Sequence, residues 1–153
     1  MLVLANFGAR RQLRVAGRPV GRVLDSSDPS TPRRDDAGSC IGVVLTDIPL
    51  DARQLTRVAR RVGMGLSRVG SIAGHGSGDL FCAVSTTNRM PRDGAGRVSV
   101  ELLVDDEIND VFAATVEATE EAVLDAMFVA DTVIGRRGYT VPRLPVDRVL
   151  ELL

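Results

Sequence analysis

Ser39 follows Gly38 where a polar stretch gives way to the apolar run 40–46 (CIGVVLT). A serine hydroxyl directly after a glycine, at the mouth of a strand, suits a chain that attacks its own backbone carbonyl and leaves that serine as a new amino terminus. Gly-Ser pairs are common, however, and alone this one marks only a loop ending where a strand begins. Ser77 and Asp79 come from a second stretch, residues 67–79 (SRVGSIAGHGSGD). Its four glycines let backbone pass close to a neighbour while presenting a hydroxyl and a carboxylate to it. A simple turn between a helix and a strand accounts for the same residues. Asn6 ends the apolar run 1–5, where an Asn side chain commonly bonds to local backbone.

Several other chemistries are excluded. The glycine loop lacks a preceding strand, a following helix and the third glycine of a dinucleotide fingerprint, since Asp79 stands at that place. His75, Cys40 and Cys82 do not make a zinc spacing, so neither a metal nor a cofactor is expected. Both cysteines lie in apolar runs and are expected as buried free thiols. The 19 basic residues are all arginine, against 20 acidic ones, for a net charge of -1. This balance gives no basic field for nucleic acid or a membrane surface. Without lysine there is no side-chain amine for Schiff-base chemistry, so an amine acting as base must be a chain terminus. Residues 1–5 are too short for a secretory leader, and no run of about 20 apolar residues is present. A cytoplasmic location is expected for a complete chain.

These candidates must be positioned by surrounding elements within one domain-sized chain of 153 residues. Residues 1–5 read as a strand that starts without cap or lead-in, and residues 12–15 and 19–24 as a hairpin turning at Ala16-Gly17. Residues 25–38 (DSSDPSTPRRDDAG) read as a solvated, flexible loop. The unbroken run 40–46 predicts a strand covered on both faces. Leu55, Val58, Ala59, Val62 and Leu66 fall at helical spacing, with Arg53, Arg57, Arg60 and Arg61 on a solvated face. Strands are predicted over 80–86 and 97–104, the second alternating through Val98, Val100, Leu102 and Val104. From Asp105 a long helix is predicted to run to a stop at Gly135, its alanines packing closely on a sheet, and a short helix over 146–153 closes the chain.

The order GS–CIGVVLTDIPL, QLTRVARRVGMGLSRVGS, GHGSGDLFCAVSTTN and FAATVEATEEAVLDAM resembles the carboxyl-terminal part of the DmpA/BapA family. These are L-aminopeptidase/D-esterase and β-peptidyl aminopeptidase enzymes, and LVLANFGARRQLRVAGRPVGR resembles the segment before their cleavage site. The resemblance implies an α/β fold, part of a four-layer αββα sandwich shared with ornithine acetyltransferase and incomplete here at its amino-terminal side. It implies self-cleavage between Gly38 and Ser39. Residues 1–38 would then be the end of the large subunit and residues 39–153 the small, catalytic one. By motif, Ser39 is the nucleophile, Asn6 the oxyanion-stabilising Asn, and Ser77 with Asp79 the polar pair beside the nucleophile. His75 stands where many members have Asn and receives no role.

The implied activity is a serine N-terminal-nucleophile aminopeptidase acting on small peptides, amides or esters. Such enzymes are usually oligomeric. An acyltransferase of the same fold would use Thr where this chain has Ser39. The remaining alternative is an inactive remnant or interaction subunit that needs a partner chain, because the family's long amino-terminal region has no counterpart in this sequence.

Overall fold

The apolar run after Gly38 forms the middle strand of a three-stranded sheet in a computed structural model that describes residues 1–27, 38–94 and 96–153. β1 (Leu2–Asn6) pairs antiparallel with β2 (Ser39–Thr46), and β2 pairs in parallel with β3 (Leu80–Ser85). A parallel pair needs a long crossover, supplied here by α2 (Ala52–Arg68). Its start is a capping box: the Gln54 N–H donates to the Asp51 carboxylate at 2.6 Å, and the Asp51 N–H donates to Gln54 Oε1 at 3.1 Å.

Val58, Val62 and Leu66 lie on one face of α2 and are buried against Cys40 and Val44 of β2 and against Ile108, Val111, Phe112 and Val123 of α3 (Ile108–Val129). The two helices touch at Gly65, where a Cβ would sit 2.5 Å from Thr119 Cβ and 2.7 Å from the Val116 carbonyl oxygen. Thr115 and Thr119 are buried, and their hydroxyls donate to the carbonyls one turn back at 2.7 Å each, which satisfies them inside the core. A second apolar cluster gathers Leu13, Val15, Val20 and Leu24 with Val149 of α4 (Val146–Glu151).

β1, β2, α2, β3 and the closing helix form where the sequence predicts them, within a few residues. Other expectations are corrected. The turn at Ala16-Gly17 forms, with both residues at positive φ, but the second arm of the expected hairpin is α1 (Val20–Ser27). Helical spacing there puts Val20 and Leu24 together in the second cluster, and Gly21 fits because a Cβ would lie 2.0 Å from the Arg10 carbonyl oxygen. α1 takes up residues 25–27 of the expected loop, and residues 28–37 of it lie outside the described residues.

Residues 97–104 join no strand ladder among the described residues. They are tied down by Asn88, whose side chain donates to the Glu101 carbonyl at 2.8 Å and accepts from its N–H at 3.1 Å, and by the Leu103 N–H donating to the Pro49 carbonyl. Among the described residues β2 is covered on one face only, and Cys82 on β3 is exposed rather than buried. α3 ends at Val129, and Val133 belongs to β4 (Val133–Ile134), paired with β5 (Thr140–Val141). Ala113, Ala114 and Ala130 are exposed, so the close approach of α3 comes through Thr119 and Gly65 instead. The arginine face of α2 is also more than solvated. Arg57 and Arg61 lie over the Phe112 ring at 5.1 and 3.7 Å, and Arg53 forks onto Asp105 at 2.8 and 3.0 Å.

Candidate active site

Strand alternation decides where Ser39 points. Cys40, Gly42 and Val44 face the helices, so Ser39, Ile41, Val43 and Leu45 face the other way. The register then sets its neighbours: Asn6 lies directly across from Ser39 in the antiparallel pair, and the β2–β3 register, continued back from Ile41 opposite Leu80, brings Gly78 and Asp79 beside Ser39 and Cys40. Side-chain contacts agree. The Gly78 N–H donates to Ser39 Oγ at 3.0 Å, and the Cys40 N–H donates to Asp79 Oδ1 at 2.7 Å.

Ser39 is therefore flanked on one side by an amide side chain, Asn6, and on the other by a backbone N–H, that of Gly78. Both are hydrogen-bond donors of the kind that stabilise an oxyanion. Ser39, Ser77 and Asp79 are half-buried and Asn6 is exposed. The Ser77 N–H closes a turn onto the Gly74 carbonyl at 2.8 Å. Asp79 Oδ1 accepts from the Ser39–Cys40 peptide N–H and so fixes the backbone beside Ser39. His75 is exposed on the same loop.

Gly38 is fixed by its surroundings. A Cβ at this position would stand 2.2 Å from the Asn6 carbonyl oxygen and 2.9 Å from Phe7 Cα, so only glycine lets the chain enter β2 alongside the end of β1. The crevice between Gly38, Ser77 and the 71–74 loop holds about 10 Å³, room for roughly one water and no substrate.

Cys40, next to the hydroxyl of interest, does not compete with it. Burial, followed by the negative charge of Asp79, pushes its thiol up to about 11, so it stays protonated near neutrality and faces the core. Among the described residues no group of three His, Cys, Asp or Glu side chains gathers to hold a metal, and no helix is long and apolar enough to cross a membrane.

The cluster thus joins all four residues singled out in the sequence around the Gly38–Ser39 bond. What side-chain reasoning missed is the Gly78 N–H, because a backbone donor has no residue type to betray it. The signal was the glycine between Ser77 and Asp79, where a bare backbone can approach a partner.

Comparison with known proteins bears on the whole chain. The model of Peptidase family S58 matches residues 1–141. The β-peptidyl aminopeptidase BapA of Sphingosinicella microcystinivorans is 41% identical over 158 residues, taking in 95% of this chain and 40% of that protein. Among solved structures, the PH0078 protein of Pyrococcus horikoshii OT3 superposes with a TM-score of 0.85 at 38% identity, over 98% of this chain and 40% of the other. The L-aminopeptidase D-Ala-esterase/amidase of Ochrobactrum anthropi, described as a prototype for the serine aminopeptidases and a variant of the Ntn hydrolase fold, gives 0.84 at 34% identity, over 99% and 41%. The chain spans about two-fifths of the length of these relatives. Its α/β fold is part of the αββα sandwich, the described residues supplying the three-stranded sheet with α2 and α3 packed on one face of it.

Proposed function

This chain belongs to Peptidase family S58, and on that premise we propose that it carries the nucleophile of a serine aminopeptidase of the N-terminal-nucleophile type, which frees Ser39 by cutting its own chain after Gly38. The observation that carries the reading is the setting of one bond. Ser39 Oγ is held by the Gly78 N–H on one side, with Asn6 opposite, while Gly38 is pressed against the Asn6 carbonyl.

Ser39 Oγ attacks the Gly38 carbonyl carbon, and the tetrahedral oxyanion draws on Asn6 and Gly78 as donors. The Gly38–Ser39 C–N bond then breaks, leaving Gly38 as an ester on Ser39 Oγ and the Ser39 nitrogen as a free amine. Water hydrolyses the ester, so residues 1–38 end in a carboxylate and residues 39–153 begin with Ser39. That amine, with a reference pKa of about 7.7 to 8.0, is the base for the next substrate. Ser77 relays a proton through its hydroxyl, and Asp79 keeps the Ser39–Cys40 peptide in place and favours positive charge beside it. The substrates are small peptides, amides or esters, from which one N-terminal residue is removed.

A second element of the proposal rests on the outer face of the sheet. Leu2, Leu4, Ile41, Leu45, Leu80 and Val84 are 41% to 66% exposed there, beside Ser39, and the crevice at Gly38 admits no substrate. Turnover of substrate therefore requires a further polypeptide layer on this face, and the substrate pocket forms between the two.

The test is amino-terminal sequencing of the purified chain together with release of p-nitroaniline from aminoacyl p-nitroanilides. A second amino terminus reading Ser-Cys-Ile-Gly is expected, absent in Ser39→Ala, with amide hydrolysis that depends on Ser39 appearing once a second polypeptide layer covers the open face. A folded chain showing Met1 as its single amino terminus would overturn the reading.

A further inference from the structure

A cavity of about 680 Å³ opens between the end of β1, the C-terminal half of α3, the β4–β5 hairpin and the approach to α4. This is the size of a small-molecule site; Asn6 lies on its rim, whereas Ser39, Gly78 and Asp79 do not line it. Its inner wall is apolar, with Leu13 and Val123 buried and Met127 half-buried. Arginines dominate the charged part of its lining: Arg10, Arg143 and Arg148, against the single acid Asp131. Arg148 also pairs with Glu151 at 2.5 Å. The Arg143 guanidinium is exposed and has neither ion pair nor hydrogen bond among the described residues.

An apolar interior with a cationic lining selects one kind of ligand. The aliphatic wall favours a hydrocarbon chain, a guanidinium fork matches a carboxylate, and the excess of arginine disfavours an ammonium group. We propose that this cavity is a binding site for a free carboxylate carried on an apolar chain, with Arg143 as its anion contact. A fatty carboxylate and the carboxyl end of an apolar peptide share that chemistry.

Isothermal titration of the full chain separates the two sources, using decanoate and N-acetyl-Leu-Leu as probes, with decyltrimethylammonium and the carboxamide of N-acetyl-Leu-Leu as controls. At least one acid is expected to bind saturably at one site, and at least tenfold more tightly than its uncharged or cationic control; which one does so identifies the source. Arg143→Gln is expected to weaken it at least tenfold, Arg143→Lys to restore part of the loss, and Met127→Trp to weaken it by filling the wall. Arg143 is exposed, so its variants keep the test readable if Met127→Trp misfolds. Ser39→Ala is expected to leave binding unchanged, which keeps failure of this proposal distinguishable from failure of the hydrolase reading although Asn6 borders both sites. No saturable binding of either acid, equal binding of acid and control, or full binding by Arg143→Gln would each overturn the proposal.

Discussion

On one face of the three-stranded sheet Cys40 and Val44 press against α2, where Val58 and Val62 have no exposed surface. On the other face six aliphatic side chains from Leu2 to Val84 stay 41% to 66% exposed, and Ser39 and Asn6 share that face at its end. The contrast separates two jobs. The covered face holds the fold together through burial, and the open face, uncovered among the described residues, is where the proposed chemistry is placed. A strand that is helix-packed on one side and catalytic on the other can lose function with little loss of stability, and the reverse.

The largest effect that could break this contrast is on stability. Leu66→Ala, at a position 2% exposed, is expected to cost about 2 to 5 kcal/mol, while Leu80→Ala on the open face should stay within about 0.5 kcal/mol. Urea unfolding of the two variants checks it, and equal losses would mean that the open face is covered in solution. Asn6→Ala works the other way, slowing appearance of the Ser39 terminus about 10²- to 10³-fold with an almost unchanged unfolding midpoint, read by a time course on denaturing gels.

Thiol labelling sharpens the comparison further. Cys82 on the open face should react promptly with Ellman's reagent, whereas Cys40, buried and with its thiol pushed up to about 11, should react only on unfolding. Protection of Cys82 on adding a second polypeptide would report the open face being covered.

The smallest effect lies behind the sheet, at the α2 start. The fork of Arg53 and the Gln54 amide hold the Asp105 carboxyl down at about 2. A depressed folded value means that the carboxylate's contribution is complete above its ordinary value of about 3.9 and is lost as pH falls toward 2. Asp105→Asn should therefore flatten the fall in unfolding midpoint over that window, by a small amount because the pair is exposed.

Which elements the sequence revealed follows from what each needs. β2 and α2 were legible because Cys40, Val44, Val58, Val62 and Leu66 bury one another within this chain. Residues 97–104 alternate as well as any strand, yet a strand requires a neighbour, and none is present beside them among the described residues. Val20 and Leu24 suit either period over so short a span, and packing on Leu13 and Val149 selected the helix. At the candidate site, the order of motifs and the family resemblance it carries marked Ser39, Asn6, Ser77 and Asp79, whereas the Gly78 N–H and the clash that reserves position 38 for glycine came only from the register of three strands.

The central claim is that Ser39 cuts the bond before it, and intact-mass spectrometry of the freshly purified chain, followed over days, tests it most directly. The account predicts that the full-length mass gives way to two species, residues 1–38 and residues 39–153, whose masses together exceed it by one water. Ser39→Ala should remain whole. A wild-type chain that stays folded and uncut, or a Ser39→Ala chain cut at the same bond, would contradict the account.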